Sequence, residues 1–192
     1  MDLIARSGCL GAFIGFDSLV PQEGLRKVTT SDNRIELYKE SVREFQKRGV
    51  SVMGAFIFGF DNDDWSVFPL TLDFAMESRI DAAQINLLVP YPGTPLYSRL
   101  EKEGRITERD WTQYRTGHIC FEPQKLSKRE LFNGYVWVRK EFNSRRHLAK
   151  RVRRIARHSP FLVTVAGIAV NLAFRRGTLD LVRKQKMGMV SG

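Results

Sequence analysis

Three short segments of this 192-residue chain hold side chains that could position a ligand. The first is Gly15-Phe16-Asp17-Ser18 and the second is Gly59-Phe60-Asp61-Asn62-Asp63-Asp64. The third is Pro90-Tyr91-Pro92-Gly93-Thr94. A carboxylate such as Asp17 offers two acceptor oxygens to a diol, which suits ribose hydroxyls. Glycine at a strand end lets a planar ring approach the backbone closely. The same residues can serve structure, because Asp17, Ser18 and the acids at 61–64 are good N-caps. Capping is the preferred reading of Asp63 and Asp64. For Asp17, Gly59 and the proline loop both readings stand.

Metal chemistry has little to work with. The two cysteines, Cys9 and Cys120, form no CxxC pair and no cluster, which argues against a structural zinc site. Cys120 reads as a small core residue and His118 as a surface one. His147 and His158 lie among arginines and are expected in solvent, whereas Trp65, Trp111 and Trp137 are expected in the core or an interface.

Each ligand-type segment closes an apolar run. Residues 10–16 (LGAFIGF), 50–60 (VSVMGAFIFGF) and 82–89 (AAQINLLV) read as strands. Between them lie helical patterns. One starts around Ser31-Asp32 with Ile35, Tyr38, Val42 and Phe45 on a face, and the next carries Val67, Leu70 and Phe74. Residues 96–103 give a third, short helix ending at Gly104. This alternation predicts an α/β fold of parallel βα units, with ligands at the C-terminal strand ends. The near-continuous apolar strands imply a sheet covered on both faces. Three strands make only a partial (β/α) barrel, since a closed one takes eight strands and roughly 250 residues. Residues 1–8 look like the end of a helix whose preceding strand is missing, so the expectation is the C-terminal part of a larger α/β protein.

Beyond Gly104 a mostly helical C-terminal region is expected. Ser127-Lys128-Arg129-Glu130 is a capping box opening a helix that buries Leu131, Tyr135, Val138 and Phe142. The expected divisions are a barrel portion (1–104), a connection and helix (105–143) and a basic helical tail (144–192). The net charge of +10 resides in that tail. Residues 1–143 hold 19 basic and 20 acidic side chains, whereas residues 144–192 hold 12 basic ones and Asp180 alone. Pro160 can open a helix, and the apolar stretch 160–174 would be about 22 Å long, short of the ~30 Å hydrocarbon core. Basic flanks around an apolar middle suit an anionic membrane surface, or the stretch packs on the barrel. Nucleic acid is disfavoured, because the tail carries no groove-reading motif and few aromatics. No leader pattern precedes the first strand, so the expected location is cytoplasmic, with peripheral membrane association through the tail.

The segments GCLGAFIGFDSL, GVSVMGAFIFGFDNDD and INLLVPYPGTPLYSRLEKEGRI resemble consecutive parts of radical S-adenosylmethionine (SAM) enzymes, specifically the class with an N-terminal cobalamin-binding domain. DWTQYRTGHICFEPQKLSKREL is similar to the region that follows in that class. The resemblance implies that the three strands are the fourth to sixth of the family barrel. Asp17 and Ser18 then stand where the family usually has Gly-Phe-Glu-Ser, with an acid contacting SAM. Ile57 and Gly59 match the fifth-strand pattern near the adenine, with Ala55 and Asn62 replacing its first glycine and its acid. Asn86 and Pro90 fall on the sixth strand and its adenine-side loop. Implied cofactors are SAM, a [4Fe–4S] cluster and, in the full enzyme, cobalamin. The family holds its cluster through Cys-x-x-x-Cys-x-x-Cys, which this chain lacks, so alone it is expected to be inactive. The implied partner is the missing N-terminal half, in cis or in trans, and the implied reaction is radical chemistry such as cobalamin-dependent methyl transfer. The competing reading is a non-catalytic membrane-associated or protein-interaction module.

Overall fold

A computed structural model describes residues 2–21, 34–115, 117–158 and 161–187. A short helix α1 (Asp2–Arg6) leads into strand β1 (Gly11–Asp17), followed by α2 (Arg34–Lys47), β2 (Ser51–Phe58), α3 (Val67–Glu77) and β3 (Ala82–Leu87). The three strands form one parallel sheet in the order β1-β2-β3, the partial barrel expected from the alternation. The predicted helix start at Ser31-Asp32 lies outside the described residues, as does Pro160. Next come α4 (Pro95–Lys102), an irregular connection, and three helices: α5 (Lys128–Phe142), α6 (Arg145–His158) and α7 (Phe161–Lys186).

One face of the sheet carries the core. Alternate residues of β1 and β2 send Phe16, Val52, Phe56 and Phe58 beneath α2 and α3, where they meet Val42, Phe68, Phe74 and Ile80. Phe16 stacks on Phe56 with ring centres 5.4 Å apart and meets Phe74 edge-on at 5.1 Å. The opposite face is open. Phe13 is 62% exposed there, and Met53, Ile57, Gln84 and Asn86 are half-buried. The expectation of a sheet covered on both sides is therefore met on one side only.

The start of α5 follows from sequence. Its capping box is formed, with Ser127 Oγ accepting the Glu130 N–H at 3.2 Å and Glu130 accepting the Ser127 N–H at 2.8 Å. The helix presses on α3 so closely that a Cβ at Gly134 would lie 2.1 Å from the Phe68 ring. It also flanks the outer edge of β3, where Arg139 donates to the Ile85 carbonyl at 3.4 Å.

The C-terminal helices differ from expectation in three ways. The helix that carries the apolar stretch does not end with it at Phe174, because α7 runs to Lys186 with Arg175 and Arg176 inside it. No helix among the described residues is long and apolar enough to cross a membrane. Second, Arg151 is not part of a solvated basic run but is 2% exposed. Its Nη1 donates to the Phe142 carbonyl at 2.6 Å and its Nε to Asn171 at 3.0 Å, while the guanidinium lies 3.9 Å over the Phe142 ring. Asn171 passes the link on to the Asp81 carbonyl at 2.8 Å, at the foot of β3. Third, His147 is half-buried with Nδ1 at 2.8 Å from the Glu141 carbonyl. Trp65, Trp111 and Trp137, expected in the core or an interface, are 50%, 68% and 37% exposed and so lie outside the core.

Gly134→Ala should destabilise the fold by about 1–3 kcal/mol, because the added methyl must displace the buried Phe68 ring. Chemical denaturation measures this, and Asn133→Ala one position away on the exposed side serves as the comparison.

Candidate functional site

The strand ends converge at one end of the sheet, and a buried carboxylate ties their loops together. Asp63 is 1% exposed and accepts the N–H groups of Gly59 at 2.9 Å and Phe60 at 3.1 Å. Its other oxygen accepts from Ser18 Oγ at 3.4 Å, joining the loop after β2 to the loop after β1. The turn into α3 is held instead by Asp64, which accepts from the Ser66 N–H at 2.8 Å and its hydroxyl at 2.6 Å. The capping expectation thus fails for Asp63, and Asp64 braces the turn before α3 rather than capping the helix, whose N-cap is Ser66. The N–H groups beyond the end of β2 have no strand partner, and a buried donor left unmatched is costly.

Four of the seven predicted site residues act in this scaffold. Ser18 is the buried hydroxyl just described. Gly59 adopts φ +113°, and a Cβ there would meet Leu131 at 3.1 Å and Leu88 and Phe121 at 3.4 Å. Its glycine is therefore required by conformation and packing. Asn62 donates to the Pro21 carbonyl at 2.9 Å, a second tie between the loops. Pro90 is buried in the loop after β3.

The other three share the open face. Asp17 sits at a register irregularity of β1 with φ +51°, a left-handed conformation that Asp tolerates better than most residues. Its Oδ1 would lie 3.7 Å from a Cβ at Gly15, so the carboxylate folds back over the exposed surface of β1. Ile57 and Asn86 are register partners on β2 and β3, both half-buried on that face. Gln84 joins them two residues before Asn86 and was missed. The i, i+2 pair of amides in an otherwise apolar strand is the signal that marks it. The side chains of Asp17, Gln84 and Asn86 take no hydrogen bond among the described residues. Three polar groups with unused capacity thus surround an aliphatic floor, an arrangement suited to a ligand with hydroxyl and amine groups beside a flat ring.

Beside this face, Asp61 receives Arg99 at 2.6 Å and Arg105 at 2.7 Å. Partial burial pulls its carboxyl upward, but hydrogen bonds from the two arginines outweigh that and hold it below the ordinary carboxylate range. They border a cavity of about 320 Å³ with Phe60, Asn62, Leu96 and Phe121. A larger cavity of about 420 Å³, lined by Arg43, Glu77, Arg79 and Arg154, opens at the opposite end of the strands. Ligands of parallel sheets bind at the C-terminal ends, which favours the open face and its rim.

The residues present do not fit an iron–sulfur cluster. No group of three or more metal-ligating side chains occurs among the described residues. Cys9 lies at the opposite end of β1 from Asp17, with Sγ 3.4 Å from the Gly11 carbonyl. Cys120 is buried, and burial followed by the nearby Glu108 pushes its thiol up to about 11. A neutral thiol is neither a good nucleophile nor a good ligand. SAM is a different case, since Asp17, Gln84 and Asn86 offer the free polar groups it would need.

Asp63→Ala should cost about 2–4 kcal/mol, because it leaves two inward N–H groups unpaired at ~1–3 kcal/mol each. Proteolysis of the 59–64 loop should accelerate alongside, and unchanged stability and cleavage would contradict the role. In mildly alkaline buffer iodoacetamide should alkylate Cys9 and spare Cys120 in the folded protein. The sign follows from the raised thiol, which stays protonated below about 11 in the native state and loses that protection on unfolding. Mass spectrometry with and without denaturant measures it.

Comparison with known proteins bears on this arrangement. Residues 94–165 match a family described as a domain of unknown function, DUF4070. The bacteriochlorophyllide d C-12(1)-methyltransferase of Chlorobaculum tepidum is 36% identical over 151 residues, covering 79% of this chain and 32% of that protein. The bacteriochlorophyllide d C-8(2)-methyltransferase of the same organism is 24% identical over 191 residues, covering 97% of this chain and 41% of its own length. The hopanoid C-2 methylase of Rhodopseudomonas palustris is 32% identical over 98 residues, or 51% of this chain and 18% of that protein. The chain therefore spans well under half the length of these relatives. With three parallel βα units, the strand-end motifs and these relatives in agreement, the chain belongs to the radical SAM family.

Proposed function

We propose that this chain supplies the later-strand wall of the SAM pocket in a radical SAM enzyme that methylates carbon. The observation that carries the reading is the unused polar trio on the open face, Asp17, Gln84 and Asn86. In the assembled enzyme Asp17 accepts hydrogen bonds from the ribose hydroxyls or the amino group of SAM. Asn86 and Gln84 orient the ligand from the far strand, and Ile57 packs against its flat ring. Ser18, Gly59, Asn62 and Asp63 hold the loops so that these groups stay in place. Bound SAM would supply the radical chemistry, its cluster being held by cysteines outside this chain. Cobalamin, if used, belongs to a separate domain. Support for carbon methylation comes from the relatives, three of which are named as methyltransferases or methylases at a numbered carbon.

The test uses the assembly that unites this chain with a polypeptide carrying Cys-x-x-x-Cys-x-x-Cys, reconstituted anaerobically. Asp17→Asn suits the left-handed backbone and removes only the charge. It should weaken SAM binding about 10- to 100-fold, equivalent to ~1.5–3 kcal/mol for a hydrogen bond to a charged group. Asn86→Ala should weaken it less. Equilibrium dialysis with labelled SAM reads both, and unchanged affinity in both variants would refute the assignment.

A further inference from the structure

The α6–α7 hairpin has two faces of opposite character. Its inner face packs on α5 and β3 through Arg151, Ile155, Val163, Asn171 and Thr178, all buried. Its outer face has no cover. Along α7, Phe161, Val165, Leu172 and Leu179 are 81%, 48%, 44% and 53% exposed. At 3.6 residues per turn these four fall within a stripe about 40° wide. Exposed alanines at 166, 169 and 173 widen the stripe, and no charged residue occurs from 161 to 174. Contiguous apolar surface of this kind on a folded protein marks an interaction site.

Charge runs alongside. The exposed residues of α6 include Arg145, Arg146, Lys150, Arg153 and Arg157. None of these five makes a salt bridge among the described residues, whereas Lys39, Arg48, Arg99 and Arg105 of the body are all paired with acids. No acidic residue occurs between Ser144 and Leu179. The outer face thus sets an aliphatic stripe beside an uncompensated cationic one.

We infer that the outer face of the α6–α7 hairpin docks on an anionic lipid surface. Phe161, Val165, Leu172 and Leu179 enter the boundary between headgroups and acyl chains, and the arginines of α6 meet the headgroup phosphates. Helix α7 lies along the membrane rather than through it, because its inner face is committed to the protein. A nucleic acid would use the cations but leave the aliphatic stripe exposed. This inference stands on the hairpin alone and does not depend on the SAM reading.

Flotation with vesicles of phosphatidylcholine plus phosphatidylglycerol, against phosphatidylcholine alone, tests it. The chain should float with the anionic vesicles at low salt, bind neutral ones at least about tenfold less and detach as salt rises. Neutralising Arg146 or Arg153 with Gln should weaken binding about fivefold each. The exposed substitutions Val165→Ser and Leu172→Ser should weaken it while leaving the far-ultraviolet circular dichroism unchanged. Phe13→Ser on the open sheet face should have no effect, which separates this surface from the bare barrel face. Equal binding to neutral vesicles, no binding at low salt, or loss only with Phe13→Ser would overturn the proposal. So would binding to duplex DNA or RNA that outcompetes the vesicles and survives Leu172→Ser.

Discussion

Parallel strands project apolar side chains to both sides, so each side of their sheet has to meet another layer. In this chain α2 and α3 satisfy that requirement on one side with an aromatic core built around Phe16, Phe56 and Phe74. The outer edge of β3 is flanked by α5 and α7, where Arg139 and Asn171 reach backbone carbonyls that no further strand takes up. The remaining side, with Phe13 exposed on its β1 edge, has no such layer among the described residues. Everything proposed about the site follows from this asymmetry. The uncovered side is also where Asp17, Gln84 and Asn86 keep unused hydrogen-bonding capacity.

Two buried polar links convert the packing into a defined geometry. Asp63 closes the loops at one end of the sheet, and the Arg151–Asn171–Asp81 chain fastens the last two helices at the other. Both satisfy donors or acceptors that would otherwise be buried without partners. The division of labour is spatial. Residues that hold the loops lie inside, and residues free to meet a ligand lie outside, although they alternate within a few positions of sequence.

The three strands, the α5 capping box and the family were all legible in sequence, because apolar runs and cap residues depend on local spacing. Which loop residues would face a ligand was less so. Asp17, Ile57 and Asn86 lie on the open face of the sheet. Ser18 and Gly59 are committed inward and Asn62 ties two loops at the surface, because their partners, Asp63, Leu131 and Pro21, are brought to them only by tertiary contact. Arg151 was misread for a similar reason. A run of arginines has no internal mark for the one that faces the body, since its acceptors are the end of α5 and an asparagine 20 residues downstream.

That buried arginine has an unusual set of neighbours. Burial, with Arg154 adding to it, lowers its pKa to about 10, so it remains a cation at neutral pH. Its direct partners are the carbonyl at the negative end of α5, an amide and an aromatic ring, while the Asp81 carboxylate favours the cation without touching it. The three groups in direct contact cannot be protonated away, and dissolved ions reach them poorly. The outer arginines of α6 stand in the opposite situation, with solvent and salt free to crowd them. Ionic strength consequently acts far more on the outer side of this hairpin than on the inner one, where the ion pair of Arg154 with Asp81 is largely buried. The helices can be released from whatever lies outside them while staying fixed to the sheet within.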